Sequence, residues 1–289
     1  MSLKKVIEKL PAHVKCRNSI YPKSKNIVRF PVPDDKVLWN IEWPQYSPVV
    51  YTSSNLTNQP WADPPLETHN FNPKWNCLDG KVNRKSHFCE YAIVDGLPIN
   101  PIGRTGIKGR GVLGRWGPNH AADPIITRWK RNSQGVIECD LKTQKPILQF
   151  VAIERRDCHE WAIPGGMVDP GETVNHTLKR EFLEEALDIF GTSDDEKNLK
   201  KKQVEKFFSN GLEIFKGYVD DPRNTDNSWI ETVATNFHDD DGSHVSEFQL
   251  SAGDDALNVK WIDINFDLTL YASHKNFISQ VARIRNSHW

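Results

Sequence analysis

The sequence predicts a mixed-sheet α/β (α+β) core preceded by a domain of different texture. Between about residues 120 and 289, apolar runs of strand length alternate with a few amphipathic stretches of helical length. Residues 1–119 are instead dense in proline and aromatic residues and show no long helical periodicity. A chain of 289 residues is also long enough for two domains of ordinary size.

In the first part Phe30, Pro31, Pro33, Trp39, Trp43, Pro44, Tyr46, Pro48 and Tyr51 crowd into one stretch. Extended segments, short strands and turns are expected there, and on composition alone the part reads as a structural cap. A glycine-rich run from Gly103 to Gly117 reads as a long loop or domain junction. Within it, Gly109 to Gly114 matches G-x-G-x-x-G literally. No apolar strand precedes it, Pro118 interrupts the following helix, and no acidic residue stands at the required distance. It is therefore read as a flexible junction and not as a dinucleotide fingerprint.

Ile125 to Trp129 should form a strand, followed by a turn at Asn132 to Gly135 and a second short strand. Ile147 to Ile153 reads as a buried strand and Trp161 to Ile163 as a short one, stopped by Pro164-Gly165-Gly166. Helices are expected from about Glu172 to Phe190 and Asp194 to Phe208. Strands should follow at 212–219, 229–237 and 259–264, with a last helix from His274 to Arg285. The Lys200-Lys201-Lys202 run is expected on a solvated helix face.

Thirty-seven basic against 38 acidic residues leave a formal net charge of -1, so no global basic field points to nucleic acid. The longest apolar run is far too short to cross a bilayer, and no direct membrane contact is expected. The N-terminus lacks an apolar signal region, and Glu8 and Pro11 interrupt any transit helix. Five cysteines without a C-x-x-C pair suggest a reducing, cytoplasmic setting without a disulfide framework or zinc finger.

The chemistry concentrates between Gly166 and Leu187. Glu181, Glu184 and Glu185 stand at i, i+3 and i+4, which on a helix puts three carboxylates on one arc about 100° wide. Leu178, Phe182, Ala186 and Ile189 line the adjoining arc and would anchor the helix in a core. Such carboxylates repel one another unless a positive charge sits among them. Mg²⁺, or alternatively Mn²⁺, prefers carboxylate and water oxygens and commonly bridges them to substrate phosphates. Taken alone, the same residues also fit an acidic solvent face. Arg180 is expected to point away from the acid arc and to fix Glu172 or a strand carbonyl.

The spacing of Gly166, Glu172, Arg180, Glu181, Glu184 and Glu185 resembles the Nudix box. The resemblance fails only at the end, where Leu187 replaces a glycine and Asp188 an apolar residue, which suggests a helix that continues. Gly103-Arg104-Thr105-Gly106, Gly114 to His120, Trp161 to Gly166, Asp220 to Asn227 and Leu270 to His274 resemble the ADP-ribose pyrophosphatase branch. They are similar also to the Nudix-like C-terminal domain of the ADP-ribose-gated melastatin-type TRP cation channel. Arg29 to Asp34 and Trp39 look closer to that channel domain.

The resemblance implies a Nudix α/β/α sandwich over 120–289 and an N-terminal cap or substrate-cleft domain over 1–119. It implies a Mg²⁺-dependent hydrolase splitting ADP-ribose into AMP and ribose 5-phosphate, with Glu181, Glu184 and Glu185 as metal-holding catalytic residues. Gly166, Glu172 and Arg180 would be structural. Ile163, Gly165, Asp221, Arg223, Tyr271, His274 and, more weakly, Thr127 become candidate substrate contacts. On residue type alone, Asp220 to Asn227 is a turn, Tyr271 packing, and Asp254-Asp255 a turn or an additional base. The competing readings are an ADP-ribose-sensing channel domain without turnover, partnered by other domains of a tetrameric channel, and a Nudix hydrolase of another nucleoside diphosphate derivative. The intact carboxylates favour turnover.

Overall fold

The computed structural model describes residues 13–18, 20–24, 26–187, 193–245, 248, 250–253 and 256–289. Asp188, Ile189, Phe190, Asp254 and Asp255 therefore lie outside the described residues. The chain divides into two compact units. One comprises Met1–His120, Asp169–Gly171 and Gly217–Thr232; the other comprises Ala121–Val168, Glu172–Lys216 and Val233–Trp289.

The first unit has little regular structure. Strand β1 (Val49–Thr52) pairs in parallel with β6 (Ile107–Gly111). Between them lie two small antiparallel ribbons, β2 (Leu78–Asp79) with β3 (Val82–Asn83) and β4 (Ile93–Val94) with β5 (Leu97–Pro98). Proline-rich chain makes few ladder bonds, so its carbonyls need other donors. Arginines supply them. Arg104 donates to the carbonyls of Lys36, Leu38 and Ile41, and Arg29 to those of Thr105, Pro222 and Asn224. Buried Arg84 forks onto Asp63 at 2.7 and 3.0 Å and reaches Asp79 at 2.9 Å. Tyr91, Ile102, Tyr218 and Trp229 form the apolar centre of this unit.

Gly109 to Gly114 is not a flexible junction. Gly109, Arg110 and Gly111 lie within β6, buried, and a turn with no helix follows. At Gly111 φ is +58° and a Cβ would run into the Tyr21 hydroxyl, so the glycine serves close packing.

The main sheet, most of which lies in the second unit, follows the order β11 (Leu212–Tyr218), β12 (Ser228–Asp239), β7 (Gly117–Trp129), β8 (Leu148–Arg155), β13 (Ala256–Asp263). Two short strands join it, β9 (Trp161–Ala162) on β8 and β10 (Gly166–Met167) on β7. Among the described residues the α-helices are α1 (Val174–Glu185), α2 (Asp194–Phe207) and α3 (His274–Ile284).

Alternation along the strands sets the layers. Ile126 and Val151 face a cluster containing Leu178, Phe182 and Ala186 of α1 and Val204 and Phe207 of α2. Their neighbours Ile125, Phe150 and Ala152 face a second cluster with Phe277, Ile278, Val281 and Ala282 of α3. Helices thus cover both faces, giving the α/β/α sandwich. Among the described residues, no helix is long and apolar enough to cross a membrane.

Two local expectations fail. The stretch after Gly135 makes only isolated bridges, Arg131 to Ile137 and Cys139 to Pro146, because polar residues interrupt any apolar alternation there. Helix α1 starts at Val174, capped by Thr173, and ends at Glu185 instead of continuing. The last carbonyls find partners outside the helix. Ser251 N donates to Ala186 O and Gly253 N to Glu185 O, while Leu187 bridges Ser251. Of the lysine run, Lys201 and Lys202 are exposed, whereas Lys200 donates to Leu187 O at 2.7 Å.

Candidate active site

Burial of Leu178, Phe182 and Ala186 fixes the rotation of α1, and that rotation brings Glu181 and Glu185 under the Gly165–Gly166 turn. Glu181 and Glu185 are buried, while Glu184 keeps about a quarter of its side-chain surface. The Gly165 amide donates to Glu185 Oε2 at 2.8 Å. A Cβ on Gly166 would lie 2.4 Å from Glu181 Oε1, and one on Gly165 would lie 2.3 Å from Asp123 Oδ1. Both glycines therefore make room for carboxylates.

Asp123 on β7 is a fourth acid of this cluster, and the sequence reading missed it. Asp123-Pro124, just ahead of the apolar Ile125–Trp129 run, carries no spacing signal, and only the fold brings it beside α1.

Arg180 does not point away from the acid arc. Its Nε and Nη2 hold Glu172 at 3.0 and 3.1 Å, and Nη2 also donates to Met167 O at 3.0 Å. Its Nη1 meets Glu181 Oε1 at 2.8 Å and Glu184 Oε2 at 3.0 Å. The flat guanidinium can fork in several directions at once, which a helical-wheel projection does not represent. Glu172 is further held by Thr177 Oγ1 at 2.7 Å and by His176. Burial, with Glu184 and Asp123 nearby, pushes the Glu181 carboxyl up to about 7 against the pull of Arg180. A divalent cation would reverse that pressure, and an all-oxygen donor set of this kind fits a hard ion.

A second linked group contains Ile163, Tyr271 and His274. The Ile163 amide donates to His274 Nδ1 at 2.9 Å, which leaves the proton of the neutral ring on Nε2. Tyr271 N donates to Trp161 O, its ring meets His274 edge-on at 5.9 Å, and Arg155 lies over it at 4.4 Å. Thr127 joins neither group. Fully buried, its hydroxyl meets His238 Nδ1 and Asn236 Nδ2, both at 2.9 Å. Asp221 and Arg223 belong to the first unit, where Arg223 Nε and Nη2 fork onto Asp221 at 2.8 and 2.9 Å.

Residues 32–117 match the family "NUDT9-like, N-terminal domain", and residues 129–280 match "NUDIX domain". The chain is 55% identical over 280 residues to "ADP-ribose pyrophosphatase, mitochondrial" of Rattus norvegicus, covering 96% of this chain and 80% of that one. It is 49% identical to "Putative nudix hydrolase 6" of Caenorhabditis elegans, over 92% of this chain and 95% of the relative. A third relative, "Transient receptor potential cation channel subfamily M member-like 2" of Nematostella vectensis, is 50% identical over 95% of this chain but only 18% of its own length.

Proposed function

We propose that this chain, which belongs to the NUDIX domain family and carries an NUDT9-like N-terminal domain, is an ADP-ribose diphosphatase. The observation that carries the reading is the gathering of Glu181, Glu185 and Asp123 against the Gly165–Gly166 turn, with Glu184 joined to Glu181 through Arg180. The rat and nematode relatives, similar over most of their lengths, support it. Hydrolysis adds water across the P–O–P bridge of ADP-ribose and releases AMP and ribose 5-phosphate.

In this reading Glu181, Glu184 and Glu185 hold a divalent ion, Mg²⁺ with Mn²⁺ as a substitute. When bound, such an ion neutralises diphosphate charge and acidifies a water. The residues themselves provide position. Gly165 fixes one oxygen of Glu185, and Arg180, anchored by Glu172 and Met167 O, orients Glu181 and Glu184. Gly166 and Glu172 are then structural, and much of the rate comes from holding groups in place. We assign Ile163, Gly165, Tyr271 and His274 to substrate contacts. Arg223 would exchange part of its pairing with Asp221 for a phosphate. Thr127, whose hydroxyl is engaged by Asn236 and His238, is not assigned to substrate.

Incubation with ADP-ribose and Mg²⁺, followed by product analysis, tests the proposal. AMP and ribose 5-phosphate should form, and should disappear with a chelator or in the Glu184→Gln/Glu185→Gln double variant. Turnover of another nucleoside diphosphate derivative but not of ADP-ribose would replace the substrate and keep the chemistry.

A second reading, a sensing domain of a cation channel that returns ADP-ribose intact, is favoured by the identity with the Nematostella protein. Intact ligand after prolonged incubation would select it. All five cysteines are free, which suits a reducing compartment. Fractionation would decide between the cytoplasm expected from the sequence and the mitochondrion named for the rat relative.

A further inference from the structure

In the first unit three side chains distant in sequence converge. His87 lies in the stretch after β3, His120 near the start of β7, and Glu231 in β12. One ligand-type atom from each lies within 4.8 Å of the others. The two imidazoles are 4.4 Å apart between centroids at 48°. Glu231 is completely buried, while both histidines remain partly open to solvent.

The carboxylate of Glu231 is oriented before any ligand arrives. Trp229 Nε1 donates to Oε1 at 2.8 Å and the His87 amide to Oε2 at 2.5 Å. The Ser86 side chain is a third hydrogen-bond partner of this carboxylate. His87 Nε2 and both ring nitrogens of His120 are shielded from water.

We propose that His87, His120 and Glu231 form a second metal site, specific for Zn²⁺ and separate from the hydrolytic carboxylates. Two imidazoles and one carboxylate make a nitrogen-rich set that suits zinc and disfavours Mg²⁺. Three protein ligands leave a fourth tetrahedral position for a non-protein donor. The Trp229 indole and the His87 amide are the outer partners that hold a ligating carboxylate in position. Bound zinc would tie the stretch carrying His87 to β7 and β12 and stabilise the first unit.

The test uses the full chain, stripped with a chelator and then titrated with Zn²⁺ in a large excess of Mg²⁺. One zinc per chain is expected by elemental analysis. It should persist in the Glu184→Gln/Glu185→Gln variant and be lost in His87→Gln and His120→Asn. Zinc should raise the thermal midpoint of the unmodified protein and of the Glu184→Gln/Glu185→Gln variant, but not of the histidine variants. Co²⁺ should give the intense visible bands of a tetrahedral site, removed by added Zn²⁺. His87 is partly open and its Gln variant retains a polar side chain, so that variant keeps the test valid if His120→Asn misfolds. No zinc retained above Mg²⁺, zinc retained in folded His87→Gln, or zinc lost only in the Glu184→Gln/Glu185→Gln variant would each overturn the proposal. None of these outcomes bears on whether ADP-ribose is hydrolysed.

Discussion

The amide of Gly165 donates to Glu185 Oε2 at 2.8 Å, fastening the turn ahead of α1 to the last residue of that helix. The Nudix spacing is thus a closed loop in space. Its first glycines and its last glutamate are neighbours, and Arg180 bridges what lies between.

Replacing Glu184 or Glu185 by Gln removes a charge with little change of shape. We expect turnover of ADP-ribose to fall by about 100-fold or more, with the thermal midpoint nearly unchanged for Glu184→Gln. Undiminished kcat in both single variants and the double variant would remove these residues from the metal site.

Gly166→Ala places a methyl group where the Glu181 carboxylate now lies, without left-handed backbone strain as a complication. The expected result is weakened Mg²⁺ activation in a folded protein, read as a rise in the Mg²⁺ concentration for half-maximal activity. An unaltered Mg²⁺ dependence would mean that Glu181 can move aside at no cost.

Arg180→Lys keeps one charge but cannot hold Glu172, Glu181, Glu184 and Met167 O together. Because Arg180 is about a quarter exposed, solvent screening tempers the loss of stability to roughly 1–2 kcal/mol. Activity should fall more than stability does, a split that denaturation and initial-rate assays on the same sample would resolve.

His238 titrates low, at about 4, because burial disfavours its charged ring and Arg285 adds to the effect. The unfolded ring takes up its proton near the ordinary 6.5, so the folded state binds fewer protons between the two values. Stability from this group is full above about 6.5 and is lost as pH falls toward 4. His238→Gln should flatten that part of the pH–stability curve, and the ring's NMR resonances should hold steady down to about pH 5.

Phe182→Ala should cost about 3–5 kcal/mol, since the ring is fully buried against Phe208 and Phe248. Equilibrium unfolding in urea would measure it, and a cost below 1 kcal/mol would mean that the core collapses around the gap.

Periodicity made the second unit legible. Apolar runs of strand length marked β8 and β12, segments of helical length marked α1 to α3, and the fixed intervals of the acidic motif marked the chemistry. What escaped was set by contacts between distant segments. Asp123, His87, His120 and Glu231 are single residues without local spacing, and only strand pairing and chain reversal bring them into clusters. The end of α1 escaped for the same reason, because its stop lies in hydrogen bonds from residues 251 and 253 and not in its own composition.

That borrowed stop has a mechanical side. Gly253 packs so tightly against the Glu184 carbonyl that no side chain fits there, and the helix end rests on the same segment. Tension or displacement at residues 250–253 is therefore delivered directly to Glu184 and Glu185. The acids proposed for catalysis ride on a lever whose handle is outside the motif, and insertions or bulky substitutions around Gly253 should act on activity from a distance.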